Sequence, residues 1–222
     1  GDTSNDCTVP LQFWFCRNPG LALPLIALQY HEVKLIVEWQ SGAGLTPSSE
    51  ELWVDYIYLD TDERRRFAQV SHEYLIEQVQ HQQTSDATVE LNFNHPVKEL
   101  VWTGPTVIGD GTRTGLTNTN YQIKLNGHDR FATRPVKYFC QTQVWQHHSG
   151  TPVSGTPGTT AASGKASVDE IAVYSFALKP EEHQPSGTCN FSRIDNAQLV
   201  GTGGSATSNM NIYAVNYNVL RI

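Results

Sequence analysis

Apolar and polar residues alternate along much of the chain with the two-residue period of a β-strand. TVELNFN at 88–94 is the clearest case, because every second residue is apolar and those between are polar. YQIKL at 121–125 repeats the pattern, and Asn126-Gly127, a dipeptide typical of a tight hairpin turn, follows it directly. Since successive side chains of a strand point to opposite faces, this period predicts strands that bury one face.

Other segments are predicted as strands because they are rich in β-branched and aromatic residues: 11–16 (LQFWFC), 31–39 (HEVKLIVEW), 52–60 (LWVDYIYLD), 168–178 (VDEIAVYSFAL) and 209–222 (NMNIYAVNYNVLRI). Residues 74–79 fit both the strand and the helix period and are taken as a strand. One short helix is predicted over 60–69, since Asp60 and Thr61 are favoured caps and acidic residues precede a run of arginines. The predicted fold class is all-β.

Two polar segments separate these strands. HQQTSDAT at 81–88 is interpreted as a linker between two β units. Residues 149–167 are rich in Gly, Pro, Ser and Thr and predict a surface loop, with 150–165 exposed and poorly ordered. No repeat with a period of about 20–50 residues is present, which argues against solenoids and propellers. Many short strands joined by long loops favour a jelly roll or another β-sandwich.

Charge and hydropathy exclude several classes of partner. Charged residues make up 17% of the chain, the formal net charge is −7 and the pI is near 5.6. Such a chain has no basic field that would attract nucleic acid or anionic lipid. No apolar run approaches the length of about 18 residues that a membrane span needs, and the chain does not open on a leader pattern. Neither nucleic acid binding nor membrane insertion is expected.

The four cysteines are Cys7, Cys16, Cys140 and Cys189. None of them has the close spacing that marks a zinc site, and a chain of this size does not depend on disulfides. They are predicted to be free, mostly buried thiols, as in a protein made in a reducing compartment. No metal or other cofactor is expected.

Candidate catalytic groups fail on their spacing. His147 and His148 are adjacent, and on a strand they would point to opposite faces, so they are interpreted as solvent-exposed loop residues. The neighbouring acids Glu181 and Glu182 seldom face each other across a substrate, as the carboxylates of a glycosidase do. Ser186 lies in Pro-Ser-Gly rather than in a Gly-x-Ser-x-Gly elbow. We predict no enzymatic activity.

Long segments, taken in order, closely resemble the major capsid proteins of large icosahedral DNA viruses, the group of algal viruses, iridoviruses and giant viruses. These segments are WFCRNPGLALPLIALQYHEVKLIVEW, DYIYLDTDERRRFAQVSHEYLIEQVQ, FNHPVKELVW, LNGHDRF, YFCQTQVWQHHSG, YSFALKPEEHQPSGTCNFSRIDNAQL and YAVNYNVLRI. The resemblance covers nearly the whole chain and leaves out mainly residues 40–51, 104–120 and 149–167.

The resemblance implies two successive jelly rolls in one chain, of which this sequence holds the C-terminal part. Residues 1–82 would form the final strands of the first jelly roll, with DERRRF as a short helical element before the last of them. Residues 83–222 would form the second jelly roll. The family has a long N-terminal part that this sequence does not show, and its members usually continue past Arg221-Ile222. The first barrel is therefore expected to be incomplete and to leave open strand edges.

The function that the resemblance implies is structural. Three chains would form a homotrimer, the pseudo-hexagonal capsomer, which would contact neighbouring capsomers and minor capsid proteins. The protein would be made in the host cytoplasm and would end in the capsid of the virion. The family implies no catalytic residue and no cofactor.

One candidate assembly segment lies in the predicted helix. Glu63 is followed by Arg64-Arg65-Arg66 in an otherwise acidic chain. Three successive arginines fan around a helix and do not all reach one local acid. At least one of them is expected to make a buried contact with another strand, the second barrel or a neighbouring subunit. Arg65 and Arg66 are favoured over Arg64 for this contact.

A second candidate segment is KPEEHQPSGTCNFSRID, which begins at Lys179. It is interpreted as a structured loop between strands, in which Pro180 and Pro185 stiffen the backbone and Gly187 permits a positive φ. Ser186 or Asn190 would satisfy turn amides. Asn190-Phe191-Ser192 also matches the sequon for N-glycosylation.

A carbohydrate-binding sandwich is the alternative function. VDEIAVYSFALKPEEH at 168–183 also resembles the closing strand of laminin-G and concanavalin-type lectin domains. In such a domain Trp102 or Trp145 would offer a platform for sugar, and carboxylates would hold Ca²⁺. This second resemblance covers one short segment and explains nothing upstream of it.

Overall fold

The computed structural model describes residues 8–38, 51–104, 115–150, 171–205 and 209–222. The chain divides into two compact units. The N-terminal unit consists of Gly1–Trp39, Pro47–Glu77 and Val219–Ile222, and the C-terminal unit consists of Gln40–Thr46 and Gln78–Asn218. Every buried apolar residue from Val89 to Tyr217 belongs to the C-terminal unit.

Strands dominate the described residues. The helices are α1 (Trp14–Arg17), α2 (Thr61–Gln69) and α3 (Gln143–His147), with 3-10 turns at Pro19–Leu21 and Phe191–Arg193 and a π-type turn at Tyr138–Thr142. The strands are β1 (Glu73–Thr84), β2 (Thr88–Glu90), β3 (Pro96–Thr103), β4 (Asn120–Leu125), β5 (His128–Asp129), β6 (Arg134–Pro135), β7 (Ile171–Ser175), β8 (Cys189–Asn190), β9 (Ala197–Thr202) and β10 (Met210–Arg221).

The C-terminal unit is a sandwich of two sheets. One sheet has the strand order β1-β10-β3-β7, with β8 also paired to β3. The other has the order β2-β9-β4-β5, with β6 also paired to β4. The pairs β10–β3, β3–β7, β2–β9 and β4–β9 are antiparallel. Apart from β4 with β5 and β6, neighbours in each sheet are far apart in sequence, so most strands are joined across the sandwich rather than as successive hairpins.

The inner faces of the two sheets meet in an aromatic core. Trp102 of β3 packs edge-on against Tyr121 of β4, with ring centroids 5.4 Å apart, and against Phe139 at 5.2 Å. All three side chains are fully buried. An aromatic side chain removes about 150–250 Å² from water. At about 25 cal/mol per Å² each contributes about 4–6 kcal/mol of gross apolar stabilisation.

Two glutamine side chains join the sheets along one edge. Gln80 of β1 donates from Nε2 to the carbonyl of Asn94 at 2.7 Å, and the Asn94 N–H donates back to its Oε1 at 3.0 Å. Gln82 donates to the carbonyl of Glu90 at 2.8 Å and accepts from the Asn92 N–H at 3.2 Å. We call this arrangement, Gln80 and Gln82 bonded to the backbone of 90–94, the glutamine seam. The seam supplies hydrogen-bond partners to the backbone of the extended segment that follows β2. Among the described residues, this segment has no partner strand at the edge where the seam lies.

The N-terminal unit is built around α2 and a short strand pair. The Asp60 N–H donates to the Glu63 side chain at 3.3 Å, which is half of a capping box at the start of α2. His72 and Ile222 exchange two backbone hydrogen bonds of 2.9 Å. Large apolar side chains of this unit are exposed, among them Tyr30, Ile36, Trp53 and Tyr58. Such exposure of large apolar side chains is unusual for a monomeric protein.

Several predicted elements are confirmed. The strand over 121–125 is β4, and Asn126 and Gly127 have φ values of 51° and 78°, as the tight turn to β5 requires. The strand over 209–222 is β10, residues 74–79 lie within β1, and the helix over 60–69 is α2. The strand over 88–94 is confirmed in part, since β2 ends at Glu90.

Other predicted elements are wrong. The segment 11–16 contains the turn of helix α1, and the described residues of 31–39 and all of 52–59 form no regular strand. A strand requires a paired backbone, and these segments have no partner strand among the residues that the structure describes. The supposed linker at 81–88 is strand as far as Thr84, because its polar residues belong to an edge strand. The predicted strand over 168–178 is observed as β7, Ile171–Ser175, and its first residues lie outside the described residues.

The helical segment from Tyr138 to His147 has no counterpart among the predictions. It buries Phe139, Cys140 and Gln143, which are spaced as on one helix face, and leaves Trp145 exposed. The predicted loop at 149–167, and the exposure expected over 150–165, lie outside the described residues apart from Ser149 and Gly150, which are exposed.

The thiols follow the prediction only in part. Cys16 and Cys189 are free, Cys140 is buried, and Cys7 lies outside the described residues. Cys189 is half-buried but Cys16 is exposed, so the prediction of burial is wrong for Cys16. Within the described parts of the chain, no helix is both long and apolar enough to cross a membrane.

Candidate functional site

The loop that follows β7 is held by an ordered set of hydrogen bonds. The N–H groups of Phe176 and Ala177 both donate to the carbonyl of Lys98 on β3, at 2.9 and 3.2 Å. Further along, the Lys179 N–H donates to Oγ of Ser186 at 2.9 Å, so the serine closes the turn. We call residues 176–188 the 176–188 loop. Its bonds confirm that Ser186 satisfies a turn amide, and they occupy the hydroxyl that a nucleophile would need free.

Gly187 is required by the backbone of this loop. Its φ is 144°, which lies in the region that side chains disfavour. A Cβ at this position would lie 2.9 Å from the carbonyl oxygen of Phe176 and 3.3 Å from Cα of Ala177. The positive φ expected at Gly187 is therefore observed, and close backbone approach is a second reason for glycine. Pro180 is buried and Pro185 is exposed.

Two histidines at the end of α3 fasten the loop. Nδ1 of His147 lies 3.0 Å from the carbonyl of Leu178. Nδ1 of His148 lies 3.2 Å from a carboxylate oxygen of Glu181, and Nε2 of His148 lies 3.1 Å from Oε2 of Glu99 on β3. The other oxygen of Glu181 accepts from the Ser149 N–H at 3.0 Å. One imidazole thus joins a strand, a helix end and a loop.

The contact between His148 and Glu99 is largely removed from water. The side chains are 18% and 12% exposed. Neither Nε2 of His148 nor Oε2 of Glu99 has an aligned hydrogen-bond partner among the described residues, so the 3.1 Å contact is an ion pair rather than a straight hydrogen bond. The expectation that His147 and His148 are solvent-exposed loop residues is wrong, because His147 belongs to α3, His148 caps this helix, and both residues are half-buried.

The neighbouring charged groups set the protonation states of His148 and Glu181. Contact with the Glu99 carboxylate raises the pKa of His148 above its usual range, while burial opposes this effect and Glu181 adds to it. Hydrogen bonds from Ser149 lower the pKa of Glu181, with burial opposing and His148 adding to the effect. Both shifts favour a protonated imidazole beside an ionised Glu181.

The sequon residues serve local structure. Oδ1 of Asn190 accepts from the Ser192 N–H at 3.1 Å and caps the 3-10 turn. Oγ of Ser192 accepts from the His95 N–H at 2.8 Å, and Phe191 is buried between them. Asn190 therefore satisfies a turn amide, as expected. Its glycosylation remains a prediction, and Oδ1 of the amide is engaged within the fold.

The arginines of α2 are all exposed. Arg65 forms an ion pair with Asp62 at 3.6 Å, which is the helical i, i+3 spacing. Exposed pairs of this kind contribute about 0.2–1 kcal/mol. Among the described residues, neither Arg64 nor Arg66 has an ion pair. The buried contact expected for Arg65 or Arg66 is therefore a prediction about surfaces beyond these residues.

No catalytic constellation forms in the described residues. Glu181 faces His148, whereas Glu182 pairs with Lys179 at 2.9 Å, so the two acids do not face one another across a substrate. No group of three or more metal-ligating side chains forms within the described ranges. Trp102, proposed as a sugar platform, is fully buried in the core. Trp102 therefore cannot stack on a sugar, as the lectin alternative requires.

The fold and these clusters define a structural β-sandwich whose polar side chains fix loops and sheet edges. A family model described as "Large eukaryotic DNA virus major capsid protein" matches residues 63–222, and one described as "Major capsid protein N-terminus" matches residues 2–60. The chain belongs to the major capsid protein family of large eukaryotic DNA viruses. This confirms the resemblance drawn from the sequence.

Curated relatives agree with the family. The chain is 54% identical to the major capsid protein of Pyramimonas orientalis virus over 96% of its own length and 58% of the relative. It is 40% identical to the major capsid protein of Paramecium bursaria Chlorella virus 1 over 96% of its own length and 64% of the relative. The chain thus spans about three fifths of the relatives it matches.

Solved structures confirm the jelly-roll fold. The structure described as "PBCV-1 virus capsid, quasi-atomic model" is 36% identical, with a TM-score of 0.72 over 96% of this chain and 67% of that one. The Faustovirus major capsid protein, at 13% identity and a TM-score of 0.52 over 74% of this chain and 36% of that one, shares the fold. The lectin alternative finds no support among these matches.

The residues that organise the site were only partly predictable. Ser186, Gly187 and Asn190 were identified because turn chemistry is local in sequence. Glu99 was missed, since its partner His148 lies on a distant element and the sequence carries no signal that pairs them.

Proposed function

We propose that this protein is a shell-forming subunit of the virion capsid of a large icosahedral DNA virus. The observation that carries the proposal is the match to the PBCV-1 capsid structure, at 36% identity and a TM-score of 0.72 over 96% of the chain.

The proposed organisation is two jelly rolls, with residues 1–82 as the final strands of the first and 83–222 as the second. The complete core of the C-terminal unit supports the second part of this proposal. The exposed apolar side chains of the N-terminal unit support the first, because Trp53 and Tyr58 have the character of barrel residues without their covering strands. The proposed boundary lies inside strand β1.

The proposed partners are two further copies in a trimeric capsomer, neighbouring capsomers and minor capsid proteins. Arg64, Arg65 and Arg66 are candidates for such contacts, since α2 presents them to solvent beside the acids that begin the helix. Pro180, Pro185 and Gly187 are proposed to act indirectly, by giving the 176–188 loop one shape at the surface.

The test is assembly of the full-length protein. We expect its mass in solution, measured by light scattering, to be that of three chains, and electron microscopy to show particles with a six-sided outline. A monodisperse monomer at micromolar concentration, or particles of another symmetry, would contradict the proposal. Turnover of any glycoside or ester that is lost in a Ser186→Ala variant would contradict the structural class itself.

A further inference from the structure

One histidine lies between two carboxylates that come from different parts of the fold. Nε2 of His148 is 3.1 Å from Glu99 on β3, and its Nδ1 is 3.2 Å from Glu181 in the 176–188 loop. Each ring nitrogen therefore faces an acceptor. A doubly protonated imidazole presents an N–H to each carboxylate and carries the positive charge of the ion pair with Glu99, whereas either neutral tautomer presents only one N–H.

Loss of one proton from His148 therefore makes one of its two contacts with the carboxylates unfavourable. In the neutral ring, one of the two nitrogens carries no proton, and its lone pair faces a carboxylate oxygen. The lone pair and the negatively charged oxygen repel each other. Glu99 is on a strand in the middle of a sheet and its side chain is largely buried, so it is held in place. Glu181 is more exposed and belongs to a loop, so it is the partner that is free to move.

We propose that His148, Glu99 and Glu181 form a proton-dependent clasp, which holds the 176–188 loop against the end of α3 and strand β3 while the imidazole carries both protons. When one proton is lost, the clasp opens on the side of Glu181. The Ser149 N–H, which donates to the other oxygen of Glu181, loses its acceptor in the same step.

The remaining charges near the clasp do not replace it. Lys179 and Glu182 pair with each other at 2.9 Å on the exposed side of the loop. His147 binds the carbonyl of Leu178 rather than a carboxylate. Strand β7 contributes no carboxylate, histidine, lysine or arginine over Ile171–Ser175. Lys98 lies 5.4 Å from the ring of Tyr217, on the strand position next to Glu99 and therefore on the opposite face.

The direction of the pH dependence follows from the two carboxylates. The carboxylates raise the pKa of His148 in the folded protein. The stabilisation of the clasp by His148 is therefore complete below the ordinary histidine pKa, and it is lost as the pH rises through the pKa of His148 in the folded protein. The pKa of Glu181 is lowered, so its contribution is present above its ordinary value and is lost as the pH falls through the folded one. The clasp is closed between these two limits.

Hydrogen exchange with mass spectrometry on the full-length protein tests the clasp. Amide exchange of the segment from Ser149 and of the 176–188 loop is followed from pH 5.5 to 9, after correction for the intrinsic pH dependence of exchange. Slow exchange of the imidazole C2 proton reports the titration of His148 in the same samples. We expect loop exchange to accelerate several-fold across the titration of His148.

Three variants make the result specific. His148→Gln should give a loop whose corrected exchange no longer depends on pH, and Glu99→Gln should move both the titration and the loop opening to lower pH. His128→Gln, a change at an exposed histidine on β5, is the control and should match the wild type. If His148→Gln fails to fold, the joint shift in Glu99→Gln decides. The proposal is overturned if loop exchange follows the same pH course in Glu99→Gln and wild type, or if His148 titrates as a free histidine.

Discussion

The side-chain amide of Gln80 bonds both backbone groups of Asn94, donating to its carbonyl at 2.7 Å and accepting from its N–H at 3.0 Å. The side chain of Gln80 thus makes the two hydrogen bonds to the backbone of Asn94 that a neighbouring strand would otherwise make. Gln82 repeats the arrangement two residues along β1. Because β1 and β2 belong to different sheets, these amides hold the two layers together at their edge.

The glutamine seam gives the first prediction. Gln80→Ala removes two hydrogen bonds to the backbone of Asn94 and a third, from Nε2 to Oδ1 of buried Asn216 at 2.9 Å. Since each is worth about 0.5–1.5 kcal/mol, we expect a loss of about 2–4 kcal/mol in unfolding free energy, with faster amide exchange over 91–94. Gln83→Ala is the matched control, because Gln83 is exposed on the other face of the same strand. Equal stabilities of the two variants in chemical denaturation would refute the role of the seam.

The second prediction concerns Gly187. Gly187→Ala places a Cβ 2.9 Å from a backbone oxygen at a φ of 144°, so the loop must distort. A residue held in such a conformation costs about 1–3 kcal/mol. Gly150→Ala is the control, since a Cβ there meets nothing within 4 Å and no positive φ is involved. Thermal melts compare the two, and an unchanged melting temperature for Gly187→Ala would show that the loop adapts freely.

The third prediction compares two tryptophans. Trp102 is 0% exposed and contacts Tyr121 and Phe139, whereas Trp145 on α3 is 74% exposed. Trp102→Ala should therefore cost about 3–5 kcal/mol, and Trp145→Ala about 0.5 kcal/mol or less. Denaturant titrations of both variants measure the difference. A cost for Trp145→Ala as large as that for Trp102→Ala would mean that Trp145 is covered in the protein as it assembles.

The fourth prediction separates folding from assembly at α2. Arg65 pairs with exposed Asp62, and Arg64 and Arg66 are exposed as well. Alanine at any of the three should change the stability of the chain's own fold by about 0.5 kcal/mol or less. If Arg65 or Arg66 is buried against another subunit, its loss should instead reduce trimer yield, with a cost of about 3–5 kcal/mol.

Light scattering for trimer yield and thermal melts for stability, made on the same samples, resolve these two effects. Lys34→Ala is a suitable control, because Lys34 is an exposed cation that pairs only locally with Glu32 at 2.9 Å. Full trimer yield in all three arginine variants would exclude the assembly contact.

Local chemistry explains which parts of the fold the sequence predicts. The strand 121–125 and its Asn126-Gly127 turn are correct because period and turn geometry are both fixed within a few residues. Helix α2 is correct for the same reason, since its cap and its charge order are local. The segments 31–39 and 52–60 have the strand pattern but no regular strand in the described residues, because pairing depends on distant backbone.

The clasp lies beyond what any local pattern predicts. Glu99 and Glu181 are distant in sequence and meet only because β3, α3 and the 176–188 loop converge around His148. The helix that brings His148 there was itself missed, since its buried residues Phe139, Cys140 and Gln143 occur among aromatic and polar residues that also suit a strand. Without that helix, the orientation of His148 could not be predicted.

The glutamine seam has a consequence for crowding. An exposed sheet edge offers unpaired N–H and carbonyl groups to any strand that passes, and this is a common route to aggregation. Here the N–H groups of Asn92 and Asn94 and the carbonyls of Glu90 and Asn94 are already occupied by side-chain amides. At these four groups a second molecule finds no free backbone partner. Copies held side by side at very high density therefore gain no backbone pairing there, and contacts along 90–94 depend on the side chains, whose sequence controls which contacts form.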